Sequence, residues 1–477
     1  MNKLIIAIPT LISLLLFFVG CTTRNVDKVW PEPRPLFKDI APSISLQEQP
    51  NSLADSQKIK EPEGSITLDN ALSLALTYNP ELISSLWDVR SGKARIVQAG
   101  LFPNPELEFE VENFGGSREG ENPDGTKKDI KRFDGSETTV SISQLFEIGG
   151  KRSKRKKVAS LEHELLGWGH ESTRLDILTE VTNAFIDLLA VQETLPIVED
   201  LVQLSENLSH AASERVKAGK VSPIEETRAK VELSKITIER EKAKRDLHIA
   251  RKILAATWGS TSPVFKNVSG NIYKIGSIPN LEDLINKVSQ NPEIARWTTE
   301  LEQRQASLDK AKADRIPDLT LGGGVRYFDE SEDNVYVMGI SLPLPILNRN
   351  QGEIQEARYN LYKAKNEKSA AEIRMVKTLN EAYQRLSVAF FETTTLRDVI
   401  LPSAQSEFAA VNEGYSEGKF DYLNLLHSKS TFFDAKLEYI ESLATYHKEV
   451  AIIERLIGEK LDTISETNAY LQRSEKQ

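Results

Sequence analysis

The sequence predicts a mainly α protein that also carries a few β-strands of bilayer-spanning length, in a unit built twice. Three observations predict it. The stretch Glu137–Arg155 (ETTVSISQLFEIGGKRSKR) alternates like a strand through Val140 and Ile142 and breaks at Gly149-Gly150. A very long helical pattern then opens behind a run, Lys151–Lys157, in which every residue but Ser153 is basic. Short motifs recur about 200 residues apart: Asn79-Pro80-Glu81 as Asn291-Pro292-Glu293, and Gly219-Lys220 as Gly418-Lys419. Finally, 27% of the 477 residues are charged and 7% aromatic, the balance of long solvated helices. The formal net charge of -10 argues against nucleic acid as a partner, and no P-loop or dinucleotide fingerprint is present.

Residues 1–20 read as a secretory leader, with Lys3, an apolar run from Leu4 to Val19, and Gly20 before Cys21. Cys21 is the single cysteine, so a disulfide within the chain is impossible. Residues 21–65 contain six prolines between Pro31 and Pro62 and no apolar period, which predicts an extended tether ordered by lying on something else. A first repeat follows over 66–259, a linker over 260–280, a second repeat over 281–458 and a tail over 459–477.

Each repeat reads as helix, strand, loop, strand, long helix, tight turn, helix. Asn79 and Asn291 are placed to cap helices that begin with Pro80 and Pro292. The first long helix is predicted over Lys151–Lys217, about 100 Å at 1.5 Å per residue. Leu178, Val181, Phe185, Leu188, Leu195 and Val202 follow a 3,4 spacing, the pattern of a coiled coil. Pro196 and Pro402 fall inside the long helices and predict kinks in both. At the turns, Gly219 and Gly418 end helices. Ser222, with Pro223 and Glu225, predicts a capping box for the next helix, and Asp421 a cap in the second copy.

The strands sort by parity. Glu106, Glu108, Glu110 and Glu112 share one face; Leu107, Phe109 and Val111 share the other. Leu319, Leu321, Val325 and Tyr327 form one face of a third strand, and Tyr336, Met338, Ile340 and Leu342 one face of a fourth. Such alternation over about ten residues suits a membrane strand. Four strands do not close a barrel, and an open edge in lipid is forbidden, so several copies must share one. Two copies give eight strands and three give twelve; spacing alone does not choose.

Together with Asn79-Pro-Glu-Leu82 and Ala99-Gly-Leu-Phe-Pro-Asn-Pro105, this duplicated layout resembles the TolC-like outer-membrane factors of tripartite efflux pumps, over about residues 66–458. Glu137–Gln144 with Glu147-Ile-Gly-Gly-Lys-Arg152 resembles the CzcC-type branch, which serves heavy-metal cation pumps. The resemblance implies a homotrimer with a twelve-stranded β-barrel and a periplasmic α-helical coiled-coil tunnel, partnered by a periplasmic adaptor and an inner-membrane RND-type transporter. It implies adaptor contact at Arg215, Gly219, Val221, Ser222, Tyr415, Gly418 and Phe420. Where the family often has acids narrowing the tunnel, this chain aligns Asn424 and His427. Phe18-Val-Gly-Cys21 resembles a lipobox, implying lipidation of Cys21 and anchorage in the outer membrane. Glu106, Glu108, Glu110 and Glu112 would then face the lumen.

The expected function is passive conduction of substrate, heavy-metal cations first, from a pump–adaptor complex to the exterior. Drug efflux or type I secretion would use the same fold, and a non-conducting coiled-coil envelope scaffold is the alternative of another class. No catalytic, cofactor or metal site is expected. His163 and His170 lie about 10 Å apart along a helix, too far to share a zinc ion.

Overall fold

The computed structural model describes Leu36, residues 61–114, 119–121, 124–125, 127–129 and 135–461. These belong to one compact unit, Pro33–Gln477. The leader, Cys21, most of the tether and the tail beyond Leu461 lie outside the described residues.

The chain begins with β1 (Ser65–Ile66), α1 (Leu68–Tyr78) and α2 (Pro80–Ala99). Strand β2 (Glu106–Glu112), a short ribbon β3 (Glu119–Glu121) and β4 (Lys127–Asp129), and β5 (Glu137–Phe146) lead into α3 (Lys151–Lys217). The hairpin back is α4 (Pro223–Ala256), followed by β6 (Asn267–Val268) and α5 (Leu281–Lys287). The second copy runs α6 (Pro292–Asp314), β7 (Leu319–Phe328), β8 (Asp333–Ser341), α7 (Gln351–Thr395), α8 (Leu401–Ser416) and α9 (Tyr422–Ile457).

The repeated asparagines do more than cap. Asn79 Oδ1 accepts from the N–H groups of Glu81 and Leu82, and its Nδ2 donates to Thr257 O at 2.8 Å, just past the end of α4. Asn291 accepts from Glu293 N–H and donates to the carbonyls of Arg455 and Leu456, at the end of α9. Each asparagine thus joins two helices of its own copy end to end, so that α4 and α2 run as one broken column along α3. Helix α3 neighbours α2 and α6 toward the strands, and α4 and α9 toward the helix turns; α7 packs on α6 and α9, and α8 on α9.

Between the two ends, α1 and residues 260–280 lie on α3. Leu72, Leu178, Phe185, Trp258, Phe265 and Ile272 form this core, with Leu36 buried in it. Leu36 N–H donates to Gly458 O at 2.9 Å, and its carbonyl accepts from Arg174, itself paired with the buried Glu171. Ile275 packs against this core and against a second one around Leu379, Leu386, Tyr446 and Ile453.

The two prolines behave differently. Helix α3 runs through Pro196 unbroken. The side chain of Gln192, whose backbone carbonyl loses its helical partner there, bonds both the N–H and the carbonyl of Val268. Before Pro402 the helix instead widens into a π-turn over Leu396–Ile400, an irregularity that α3 does not show at Pro196.

Candidate functional site

The sheet has strand order β2-β5-β7-β8, antiparallel throughout. Its register aligns the strand faces. Leu107 stands opposite Ile142 and Phe109 opposite Val140; Val140 then meets Val325, which meets Tyr336, and Leu321 meets Ile340. This apolar face is bare: Leu107 is 77% exposed, Met338 94% and Tyr336 86%. The opposite face aligns Glu106, Glu108, Glu110 and Glu112 with Ser143, Ser141, Thr139 and Glu137, and these with Gly322, Gly324, Arg326 and Phe328. A Cβ at Gly324 would lie 2.3 Å from Val140 O, so that position requires glycine for the strands to approach.

The four glutamates are not equivalent. Arg326 reaches Glu112 at 3.2 Å and Glu137 at 2.9 Å while donating to Thr139 Oγ1 at 2.8 Å. Glu108 accepts from Ser141 Oγ at 3.4 Å. Glu106 and Glu110 have no ionic or hydrogen-bonded partner among the described residues. The parity of the third strand puts Arg326 on the face opposite Leu321 and Val325, but its pairing across three strands has no sequence signal.

The basic run occupies the first two turns of α3. Lys151 pairs with Asp318 at 2.7 Å, and Arg155 pairs with Glu147 while donating to the carbonyls of Ala99 and Leu101. The Arg152 guanidinium lies 3.8 Å from the centre of the Phe102 ring.

At the other end, both turns are built alike. Gly219 and Gly418 have φ of +67° and +81°, which glycine adopts without strain. Lys220 N–H returns to Arg215 O, and Lys419 N–H to Gly414 O, closing the six-residue helix stop twice. Ser222 Oγ accepts from Ile224 N–H, so that cap forms. The capping box does not: Glu225 leaves one carboxylate oxygen buried and without a hydrogen bond. Asp421 caps α9 through Asn424 N–H at 2.8 Å.

The structure brings the two turns together. Arg215 stacks 4.5 Å over the Tyr415 ring and donates to its carbonyl. Tyr415 meets Tyr422 edge-on at 6.2 Å. Burial, with Glu232, Tyr415 and Glu225 adding to it, pushes the Tyr422 phenol up to about 12. The half-exposed Phe420 ring covers Gly414, where a Cβ would sit 2.3 Å away. Val221, in the first turn, is half-buried.

Asn424 and His427 are both exposed on α9. The Asn424 side chain is spent on Asp421, to which Nδ2 donates at 2.8 Å. The exposed acids of this turn are Glu417, paired with Lys419, and Asp421, three residues before the aligned position. A further group had no sequence signal. Lys429 is 2% exposed, and its Nζ donates to Glu232 at 3.2 Å and Ser205 at 3.3 Å, tying α9 to α4 and α3. Burial pulls its ammonium below the ordinary lysine value, against the opposing pull of Glu232.

Burial likewise lowers the pKa of His163 and of His170, whose Nδ1 pairs with Ser85 Oγ at 2.7 Å. No group of three or more His, Cys, Asp or Glu is placed to hold a metal ion among the described residues.

Residues 71–260 and 286–459, one stretch in each repeat, match the family described as outer membrane efflux protein. The chain is 33% identical to the cobalt-zinc-cadmium resistance protein CzcC of Cupriavidus metallidurans, over 84% of this chain and 91% of that one. It is 23% identical to the nickel-cobalt-cadmium resistance protein NccC of Alcaligenes xylosoxydans xylosoxydans, over 66% and 68%. Among solved structures, the outer membrane protein VceC of Vibrio cholerae superposes with a TM-score of 0.67 at 15% identity, covering 82% of this chain and 96% of that one.

Proposed function

Because this chain belongs to the outer membrane efflux protein family, we propose that it is the outer-membrane conduit of a tripartite efflux system and passes heavy-metal cations from a pump and its adaptor to the exterior. The observation that carries the proposal is the sheet. It is four strands wide, has one continuous apolar face and one acidic face, and is open at both edges, β2 and β8. In a bilayer those edges must pair.

The helices repeat the arrangement. Copy one leaves α2 and α4 at one margin of the layer, and copy two leaves α7 and α8 at the other. Both margins carry exposed apolar residues, Ile224, Val231 and Ile238 at seven-residue spacing on α4, and Ile373, Val388 and Phe391 on α7. Such unlike margins favour a head-to-tail ring, which the family reading sets at three copies and twelve strands. The metal assignment rests on the names of CzcC and NccC and on the acidic sheet face. Adaptor contact is assigned to the paired turns at Gly219 and Gly418, and lipid anchorage to Cys21. An envelope scaffold without a pore would have no use for a bare apolar sheet face.

The test is reconstitution. Purified protein should run as three copies in detergent and give stepwise single-channel conductance in planar bilayers. A monomer, or an assembly without conductance, would refute the conduit.

A further inference from the structure

We propose that the start of α3 is a docking site for the head groups of anionic phospholipids in the periplasmic leaflet. The inference rests on the reading of the sheet as membrane-embedded. Strand β5 ends at Phe146, and the basic run begins five residues later. Lys151–Lys157 rises about 10 Å along the helix, comparable to the head-group layer of about 5–8 Å on each side of the hydrocarbon. The run therefore occupies that layer when the apolar sheet face occupies the hydrocarbon.

The charges there are not consumed within the chain. Lys151 and Arg155 are paired, but Arg152, Lys154, Lys156 and Lys157 have no acidic partner among the described residues. The helix itself gains nothing from them. Cations in a first turn oppose the helix dipole, Gly150 offers no side-chain cap, and the first turn holds no acid. A phosphate diester supplies both missing elements, a negative charge and acceptors for the free N–H groups.

The orientation fits. At 100° per residue, the midpoint of Lys156 and Lys157, both exposed, falls on the side of α3 occupied by Leu178 and Phe185. That side carries the layer formed by residues 260–280, where Gly270 lies against Phe185. A layer on the inner side would fill a closed ring, so this is the outer, lipid-ward side. Arg152 lies over the Phe102 ring, which is 60% exposed, a cation and an aromatic side by side at the expected interface.

The experiment uses the full-length assembly in nanodiscs of phosphatidylcholine with a minority of phosphatidylglycerol, with retained lipid read by native mass spectrometry. Wild type should enrich phosphatidylglycerol. Each removed charge should lower the exchange constant about fivefold. Lys156→Gln with Lys157→Gln should thus lose about 25-fold, while Lys266→Gln with Lys274→Gln, exposed cations away from the strands, should match wild type. Equal enrichment in the first pair, or an equal loss in the control pair, overturns the proposal, as does displacement of the lipid by inorganic phosphate. If the double variant does not assemble, Arg152→Gln decides by the same criterion. Wild type that fails to insert would refute the membrane reading of the sheet; insertion without anionic preference refutes only the docking site.

Discussion

Replacing Glu232 with Leu should destabilise the junction of the two helical hairpins far more than replacing Lys429 with Met. Lys429 is buried, and Glu232 and Ser205 are the partners of its Nζ. Without Glu232 a buried ammonium is stranded, which costs about 3–5 kcal/mol. The alternative is to release the proton. From an ordinary pKa near 10.4, release at pH 7 costs about 4–5 kcal/mol, which bounds the penalty. Without Lys429, by contrast, the Glu232 side chain, 23% exposed, turns to water, and Ser205 Oγ still donates to Leu201 O. That change should cost about 0–1 kcal/mol.

The sign of the pH effect follows. Between a depressed folded pKa and the higher unfolded one, the unfolded chain binds more protons, so stability rises with pH. Once the folded pKa lies below the working pH, Glu232→Leu should regain about 1.4 kcal/mol per pH unit up to the unfolded value. Hydrogen exchange of α4 and α9 amides near these residues, corrected for intrinsic rates, reads the local opening energy. Equal penalties for the two substitutions, or a Glu232→Leu penalty unchanged between pH 7 and 9, would refute the reasoning.

Asn79→Ala and Asn291→Ala should each cost about 2–4 kcal/mol, a lost cap plus buried carbonyls left without a donor, and should do so alike; denaturant unfolding would reveal a difference between the copies. Gly219→Pro and Gly418→Pro each place proline at a positive φ and remove a turn N–H, a local cost of roughly 3 kcal/mol. Both should impair efflux and adaptor cross-linking while the assembled mass stays normal, and wild-type values for both readouts would remove the turns from the contact surface. Cys21→Ser should leave the protein unlipidated, since no second cysteine exists; an acylated N-terminus in the mass spectrum would contradict this.

Features written in local periodicity were legible. The parity of Glu106–Glu112 assigned the strand faces, and the α3 limits follow from Gly149-Gly150 at one end and Gly219 at the other. The repeated Asn-Pro-Glu announced two helix starts, though not that each asparagine also reaches the far end of another helix 160 or more residues away. Long-range polar partners left no trace. Lys429 reads as a surface lysine until α3 and α4 close over it, and Arg326 reads as one polar residue among several until β2 and β5 bring Glu112 and Glu137 to it. Pro196 and Pro402 look alike in sequence, yet the helix stays α through the first and widens into a π-turn before the second, a difference that local pattern does not carry.

The central claim, a conduit whose acidic strand face meets the permeating ion, is tested most directly by reversal potential across a salt gradient in planar bilayers. Three copies would bring Glu106, Glu108, Glu110 and Glu112 to the lumen three times over, within a pore that screens charge beyond about 8 Å. Wild type should prefer cations, and replacing all four with Gln should remove much of that preference. Glu112→Gln alone should change it least, because Arg326 already offsets that carboxylate. A reversal potential unchanged by the fourfold replacement would contradict the account.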